Sequence, residues 1–369
     1  MTEIQETKTS YASWIEQEGV PVVEGHSVNL ADVPLGPWRR KGGRGAFVQL
    51  RGMEGWTGME VVEIPPGKAL EPEKHLYESV FYVVEGFGST EVWRPGETKR
   101  FFEWAPESLF APPLNCVYRL VNGGRERALL AAVTNGPMII DLFHSPDFVF
   151  GCDYQFKDRY NGEENYFEVS QKRYKVGRGN YWDTNFIADV ANADIDAHEW
   201  KAAGGSFTGF EIAGNTLVGH LVEWPVGRYH KAHYHGAGAV LVILRSEGYT
   251  LIWPNDLGIH PYQDGHGDKV VRVDWKPGTA FGPPNGWFHQ HFNLGTVKAR
   301  QLALRYGSKK HKMGFYVAAQ KQDGGVFISV KEGGTLIEYE DEDPEIRRTY
   351  QAELKKRGIP FDMPPIRRA

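Results

Sequence analysis

The chain repeats itself, and that repeat limits its possible folds more than any other feature. Val62-Glu63-Ile64-Pro65-Pro66-Gly67 returns as Val222-Glu223-Trp224-Pro225-Val226-Gly227. Upstream of each block stands a Trp followed by a Gly-Gly pair, Trp38 with Gly42-Gly43 and Trp200 with Gly204-Gly205. A further block, Glu103-Trp104-Ala105-Pro106 running to Phe110-Ala111-Pro112-Pro113, returns as Asp274-Trp275-Lys276-Pro277 running to Phe281-Gly282-Pro283-Pro284. The offset is 160 in the first block and 171 in the second, so two equivalent units are expected, the second with a longer excursion at 255–268.

Each unit reads as β-structure. Apolar and polar residues alternate over 46–50, 59–64, 80–84, 217–224, 240–244, 270–275 and 300–306, with Gly, Pro and Asn between them. Period-2 patterning with turns at this density predicts an all-β sandwich or barrel. The expected divisions are a first barrel at 1–150, a connector at 151–195, a second barrel at 196–334 and a tail at 335–369. In the tail, Pro344 suits a first helical turn, and 345–357 predicts a short helix ended by Gly358. Its expected state is a solvated helix, with docking on a partner subunit as the alternative.

Composition removes several functions. With 42 Lys and Arg against 47 Asp and Glu, a formal charge of -5 lacks the basic excess that phosphate-backbone binding needs, so no nucleic-acid partner is expected. Two cysteines, Cys116 and Cys152, are too few for a disulfide scaffold. No apolar run is long enough for a membrane span, the N-terminus lacks the apolar core of a signal peptide, and a cytoplasmic protein is expected.

Thirteen histidines remain, and some fall into a pattern. Gly227 is followed after five residues by His233-Tyr234-His235; further on comes Pro284-Asn285-Gly286-Trp287-Phe288-His289-Gln290-His291-Phe292-Asn293. Residues two apart on a strand point to one face, so His233 and His235 share a side. The Pro-x-Gly turn before His289 can bring a second strand beside them. Three neutral imidazoles converging from two strands leave coordination positions open, as reactive metal requires.

These two motifs resemble those of the cupin superfamily. Gly227, His233, His235 and Gly248 match the first, with the closing glycine one residue late, and Pro284, Gly286, His289 and Asn293 match the second. The resemblance implies tandem jelly-roll (double-stranded β-helix) barrels with one divalent metal on His233, His235 and His289. The family's acidic ligand should stand near Ala239 or Val240, and neither can bind metal. The resemblance therefore points away from oxalate decarboxylases and toward three-histidine cupins such as gentisate-type dioxygenases. It implies Fe(II) first, with Mn, Ni or Zn as other choices, a small chelating phenolic or hydroxy acid and dioxygen as partners, and assembly as a homo-oligomer. The alternatives are a non-oxidative lyase, isomerase or hydrolase, and a non-enzymatic ligand-binding protein.

In the first unit the frame persists without the chemistry. Glu73 stands where His233 stands, Tyr118 where His289 stands, and His75 keeps its identity, so a degenerate pocket is expected, with a mixed Glu73, His75, Glu78 site as the alternative. Around the main site, His291 shares the parity of His289 and is the expected acid or base, with a fourth ligand or a merely buried, hydrogen-bonded histidine as the alternatives. Trp287, Arg245 and Arg305 are candidate substrate contacts, the arginines as carboxylate clamps or as members of internal salt bridges. His230 is out of parity with His233 and is expected to point outward, reaching substrate only at the barrel mouth. His260 and His266 lie in the excursion, as a lid or plain loop; His26, His144, His198, His220 and His311 have no convergent partner.

Overall fold

The computed structural model describes residues 7–168, 172–177, 179–198, 201–236, 238–314 and 328–366. Trp200 of the repeat lies outside them. The first unit contains β1 (Val22–Gly25), β2 (Ser27–Asn29), β3 (Gly36–Trp38), β4 (Gly43–Leu50), β5 (Gly58–Ile64), β6 (Ser79–Glu85), β7 (Gly88–Trp93), β8 (Arg100–Trp104), β9 (Leu109–Phe110), β10 (Val117–Asn122) and β11 (Ala128–Thr134). The second contains β12 (Arg173–Val176), β13 (Gly179–Thr184), β14 (Phe186–Ile187), β15 (Ser206–Ile212), β16 (Leu217–Trp224), β17 (Val240–Arg245), β18 (Gly248–Pro254), β19 (Val271–Trp275), β20 (Thr279–Phe281), β21 (Trp287–Asn293) and β22 (Ala299–Tyr306). The architecture is all-β, two tandem barrels with few short helices. Each barrel faces an eight-stranded sheet with a three-stranded one, β10-β7-β8 in the first and β19-β18-β21 in the second.

The large sheets are buried on both faces, which explains why β11 and β16 contain no exposed residue. Leu130 and Ala132 fill the first barrel, while Leu129, Ala131 and Val133 turn outward into a layer shared with Leu221, Val242, Leu302 and Leu304 of the second. In β16 the alternate residues Val222 and Trp224 fill the second barrel. Burial on both faces leaves no room for a polar side, so these strands read as continuous apolar runs.

The segment read as a connector does more than connect. Strand β13 lies parallel to β15 of the second barrel, and after a turn β14 pairs with β9 of the first. The N-terminal strands mirror this: β1 lies parallel to β4, and β2 pairs with β20 of the second barrel. Each barrel thus lends one short strand to the other. Glu78 reinforces the junction, its carboxylate accepting from the Thr216 hydroxyl at 2.7 Å, the Leu217 N–H at 2.9 Å and Arg159 at 3.3 Å. That role removes Glu78 from the mixed site considered for the first barrel.

Gly248 opens β18 where no side chain fits. A Cβ there would lie 1.9 Å from the Phe292 carbonyl oxygen, and one on Gly88 would lie 2.1 Å from the Val121 oxygen. Strand register pairs Gly88 with Asn122 and Gly248 with Asn293, so Gly88 is the counterpart of Gly248. The paired Asn ties the end of the motif strand to its neighbours, Asn293 donating to the carbonyls of Pro225 at 3.2 Å and Val297 at 2.9 Å.

The tail helix forms over Pro344–Arg357, capped by the Asp343 carboxylate at its start and by left-handed Gly358 at its end. It is docked, not solvated. Ile346, Tyr350 and Leu354, at helical spacing, pack with Tyr249, Phe292 and Tyr229 on the outer face of the small sheet. The Tyr350 hydroxyl donates to the Asn293 carbonyl at 2.7 Å. Asp343 also accepts from the N–H groups of Tyr262 and Gln263, and His260 meets the Asp341 carbonyl, so the tail anchors the 255–268 excursion. No helix of the described residues is long and apolar enough to cross a membrane.

Beside this helix, burial raises the Glu342 carboxyl to about 7, although Tyr229 and Gln290 donate to it. A raised acid contributes stability that is fully present below its ordinary value of 4.5 and is lost as pH rises through about 7. Glu342→Gln is expected to remove this dependence and to stabilise the protein at pH 8 by about 3 kcal/mol, read as urea midpoints at pH 5 and pH 8. Glu78→Ala, which strands the Thr216 and Leu217 donors, is expected to cost about 3 kcal/mol at either pH by the same measurement.

Candidate metal centre

The two motif segments of the second barrel meet edge to edge. His233 and His289 form an antiparallel bridge, the His289 N–H donating to the His233 carbonyl at 2.9 Å and the His233 N–H to the His289 carbonyl at 3.2 Å. His235, two residues on, completes a trio in which one ring nitrogen of each residue lies within 4.8 Å of the others. Among the described residues no carboxylate joins the trio, and Ala239 and Val240 are buried apolar residues.

The second ring nitrogen of each ligand fixes its tautomer. His233 Nδ1 faces the Lys231 carbonyl at 3.1 Å, His235 Nδ1 that of Gly236 at 2.9 Å and His289 Nδ1 that of Trp287 at 3.3 Å. A carbonyl only accepts, so each Nδ1 carries the proton and each Nε2 presents a lone pair. Burial, reinforced by the neighbouring cations, pushes all three imidazoles far below their usual range, His289 to about 3. Three neutral donors with bare Nε2 atoms fit a divalent metal ion.

Other histidines line the same interior. His291 lies 5.5 Å from His289 between ring centroids, and its Nδ1 is 2.8 Å from the Thr250 hydroxyl, which accepts from the Trp275 indole at 3.1 Å. His230 corrects the parity argument: it is 1% exposed, packs 4.3 Å from Trp224 and 5.3 Å from His291, and neither of its ring nitrogens has a hydrogen-bond partner among the described residues. Its N–H bonds the His291 carbonyl outside any regular strand, which frees the ring from strict alternation. His220, expected to stand alone, is buried on β16 within electrostatic reach of His230 and His235.

The remaining predicted contacts separate. Trp287 packs against the interior cluster of the second barrel, while Phe288 turns outward onto Trp253 and Tyr234. Arg305 acts on His220, His235 and His289 from within the barrel. Arg245 does not: its guanidinium donates to Ala191 and Asn192 and faces Glu223, so it ties the connector to β17. Lys201, half-buried, was missed because its segment has no strand pattern. It reaches all six interior histidines electrostatically, and burial, with Arg305 nearby, lowers its amine to about 7.

The first barrel fills the equivalent space itself. Glu73 and Tyr118 form the same antiparallel bridge as His233 and His289, but Glu73 is held by Lys41 and Arg40, and Lys41 also bonds Glu60 at 2.8 Å. The two cations hold the Glu73 carboxyl down at about 2. His75 contacts the Tyr118 hydroxyl at 3.0 Å and the Tyr77 carbonyl at 2.8 Å, so both ring nitrogens are occupied. This interior is closed by ion pairs rather than open to a ligand.

No protein-family model matches the chain, and no curated protein matches it. Among solved structures it is similar to an oxalate decarboxylase studied for proton-coupled electron transfer, at 12% identity over 78% of each chain with a TM-score of 0.49. It is also similar to a point mutant of the Bacillus subtilis oxalate decarboxylase, at 12% identity over 79% of each chain and a TM-score of 0.48, and to one studied for its Mn(II) centres, at the same identity and coverage and a TM-score of 0.49. These lie in the branch that the missing acidic residue points away from. The reading of the site therefore rests on the residues of this chain.

Replacing His233, His235 or His289 by Ala is expected to reduce bound Mn(II) from one per chain to near zero with the far-ultraviolet circular dichroism unchanged. His75→Ala should leave the metal content at one, since the first barrel offers no open ligand set. Elemental analysis after dialysis against Mn(II) measures both.

Proposed function

We propose that this protein is a metal-dependent enzyme that acts without oxidation, as a lyase, isomerase or hydrolase, on a small anionic substrate held in the second barrel. One observation carries the reading: three neutral imidazoles share an interior with proton-carrying and cationic side chains, and no carboxylate is present among them. A divalent ion on His233, His235 and His289 would supply Lewis acidity, polarising a bound carboxylate or carbonyl. The neutral donors leave the ion its full charge, which favours an anionic chelating substrate.

The chain's own groups then account for orientation and proton movement. The Trp275 indole donates to the Thr250 hydroxyl, and that hydroxyl shares a hydrogen bond of 2.8 Å with His291 Nδ1, which holds the ring in place. His291 is the residue placed to give or take a proton at the substrate. Trp224, Phe281 and Trp275 surround it and exclude water, which strengthens each polar contact inside. Arg305 orients the anion, and Trp287 packs against the interior cluster of the same barrel.

A second reading keeps the same ligands for dioxygen chemistry, favoured by the open positions that three donors leave. Imidazole suits iron, manganese, nickel and zinc alike, so the donor set does not single out Fe(II). An oxygen electrode separates the readings: with metal-loaded protein and a panel of hydroxy, keto and dicarboxylic acids, turnover is expected to proceed unchanged under argon. Stoichiometric oxygen uptake with substrate would establish the dioxygenase reading instead.

A further inference from the structure

The duplication gives the second barrel an internal control. In the first barrel Lys41, 2% exposed, is neutralised by Glu60 and Glu73, and its main-chain carbonyl accepts from the Glu71 N–H at 2.8 Å. Lys201 makes the corresponding main-chain contact, accepting from the Lys231 N–H at 2.8 Å, and residue 231 stands where Glu71 stands. A lysine makes this main-chain contact in both barrels, although the Gly-Gly repeat aligns Lys41 with Ala203, and the two carboxylates are absent from their positions in the second. Strand register places His220 opposite Ala303 where Glu60 lies opposite Ala132, and the bridge places His233 where Glu73 lies.

A second cation has been added. Arg305 sits opposite Val218 at the position that Thr134 holds opposite Gly58. Among the described residues neither Lys201 nor Arg305 has an ion-pair partner. Several other cations of this barrel do: Arg228 pairs with Asp362, Lys231 with Glu338, Arg272 with Glu353, and Lys298 and Arg300 with Glu223, whereas Lys269 and Lys276, which lack an ion pair among the described residues, are exposed to water. The buried carboxylates nearby are engaged elsewhere, Glu223 by those cations and Glu342 on the outer face with Tyr229 and Gln290. His230, with neither ring nitrogen bonded, adds an unfilled hydrogen-bonding group to the same interior. Two half-buried cations that share this interior with no anion among the described residues are costly unless a ligand supplies one.

We infer that Lys201 and Arg305 form a subsite for a second acidic group of the substrate, which is therefore a small dicarboxylate, one carboxylate directed to the three histidines and the other to this pair. The inference rests on the reading of His233, His235 and His289 as metal ligands. The metal-side carboxylate is shared with any monoacid of the same chain length; the clamp is what discriminates between them.

Calorimetry on Mn(II)-loaded protein with succinate against butyrate, and malonate against propionate, tests it. Each dicarboxylate is expected to bind at least about tenfold more tightly than its monoacid, as charge-assisted bonds to a desolvated pair would give. Lys201→Met and Arg305→Met should each remove most of that advantage, read as the ratio of dicarboxylate to monoacid affinity, with Mn(II) content as in the parent, and Lys201→Arg, which keeps the charge, should retain it. Equal affinity for succinate and butyrate in the parent, or an advantage that survives both Met variants, overturns the clamp and leaves the metal reading standing. Failure to bind one Mn(II) per chain overturns the metal reading and the clamp with it.

Discussion

The reciprocal main-chain bonds between His233 and His289 are the contact on which the metal centre depends. They bring together two segments far apart in sequence and set both imidazoles on one side of the ladder. Everything else at the site refers to that pair: His235 follows at strand spacing, His291 follows His289 in the same way, and His230 bonds the carbonyl of His291. The backbone does the positioning, so the side chains are free to change. The first barrel shows this, for Glu73 and Tyr118 keep the same bridge with different chemistry.

The barrels differ in how they settle their buried charge. In the first, Lys41, Arg40, Glu60 and Glu73 neutralise one another, and the interior is complete without a ligand. In the second, histidines replace both carboxylates while a lysine is present and an arginine is added, so the interior holds positive charge and bare imidazole nitrogens. An ion pair buried in low dielectric tolerates the loss of one partner poorly. The second barrel accepts that cost at one place, which is where a ligand would relieve it.

Much of this was legible in the sequence because local rules and tertiary structure agree. Alternation placed seven strands, six of them within a residue of their observed ends and β4 beginning three residues earlier than expected, and strand parity accounts for the spacing of His233 and His235. The failures have physical causes. Parity assigned His230 outward, but it lies in a bridge segment rather than a regular strand, and its ring packs inward on Trp224. Arg245 sits among apolar residues as a buried clamp would, yet a register shift between Ile243 and Arg245 carries it to the connector. Lys201 had no signal, since a lysine in a loop acquires meaning only from what surrounds it.

The sequence by itself determined the duplication, much of the strand content, the convergence of three histidines and the helix at 344–357, because each follows from periodicity, spacing or capping that acts over a few residues. Tertiary structure alone decided which faces meet. It exchanged strands between the barrels, laid the tail helix on the small sheet, sent Glu78 to the junction and Arg245 to the connector, and gathered six histidines and two cations, without an ion pair among the described residues, into one interior. Those outcomes depend on which residues become neighbours across hundreds of positions, and on where charge is left without water or a partner, which a pattern along one strand does not contain.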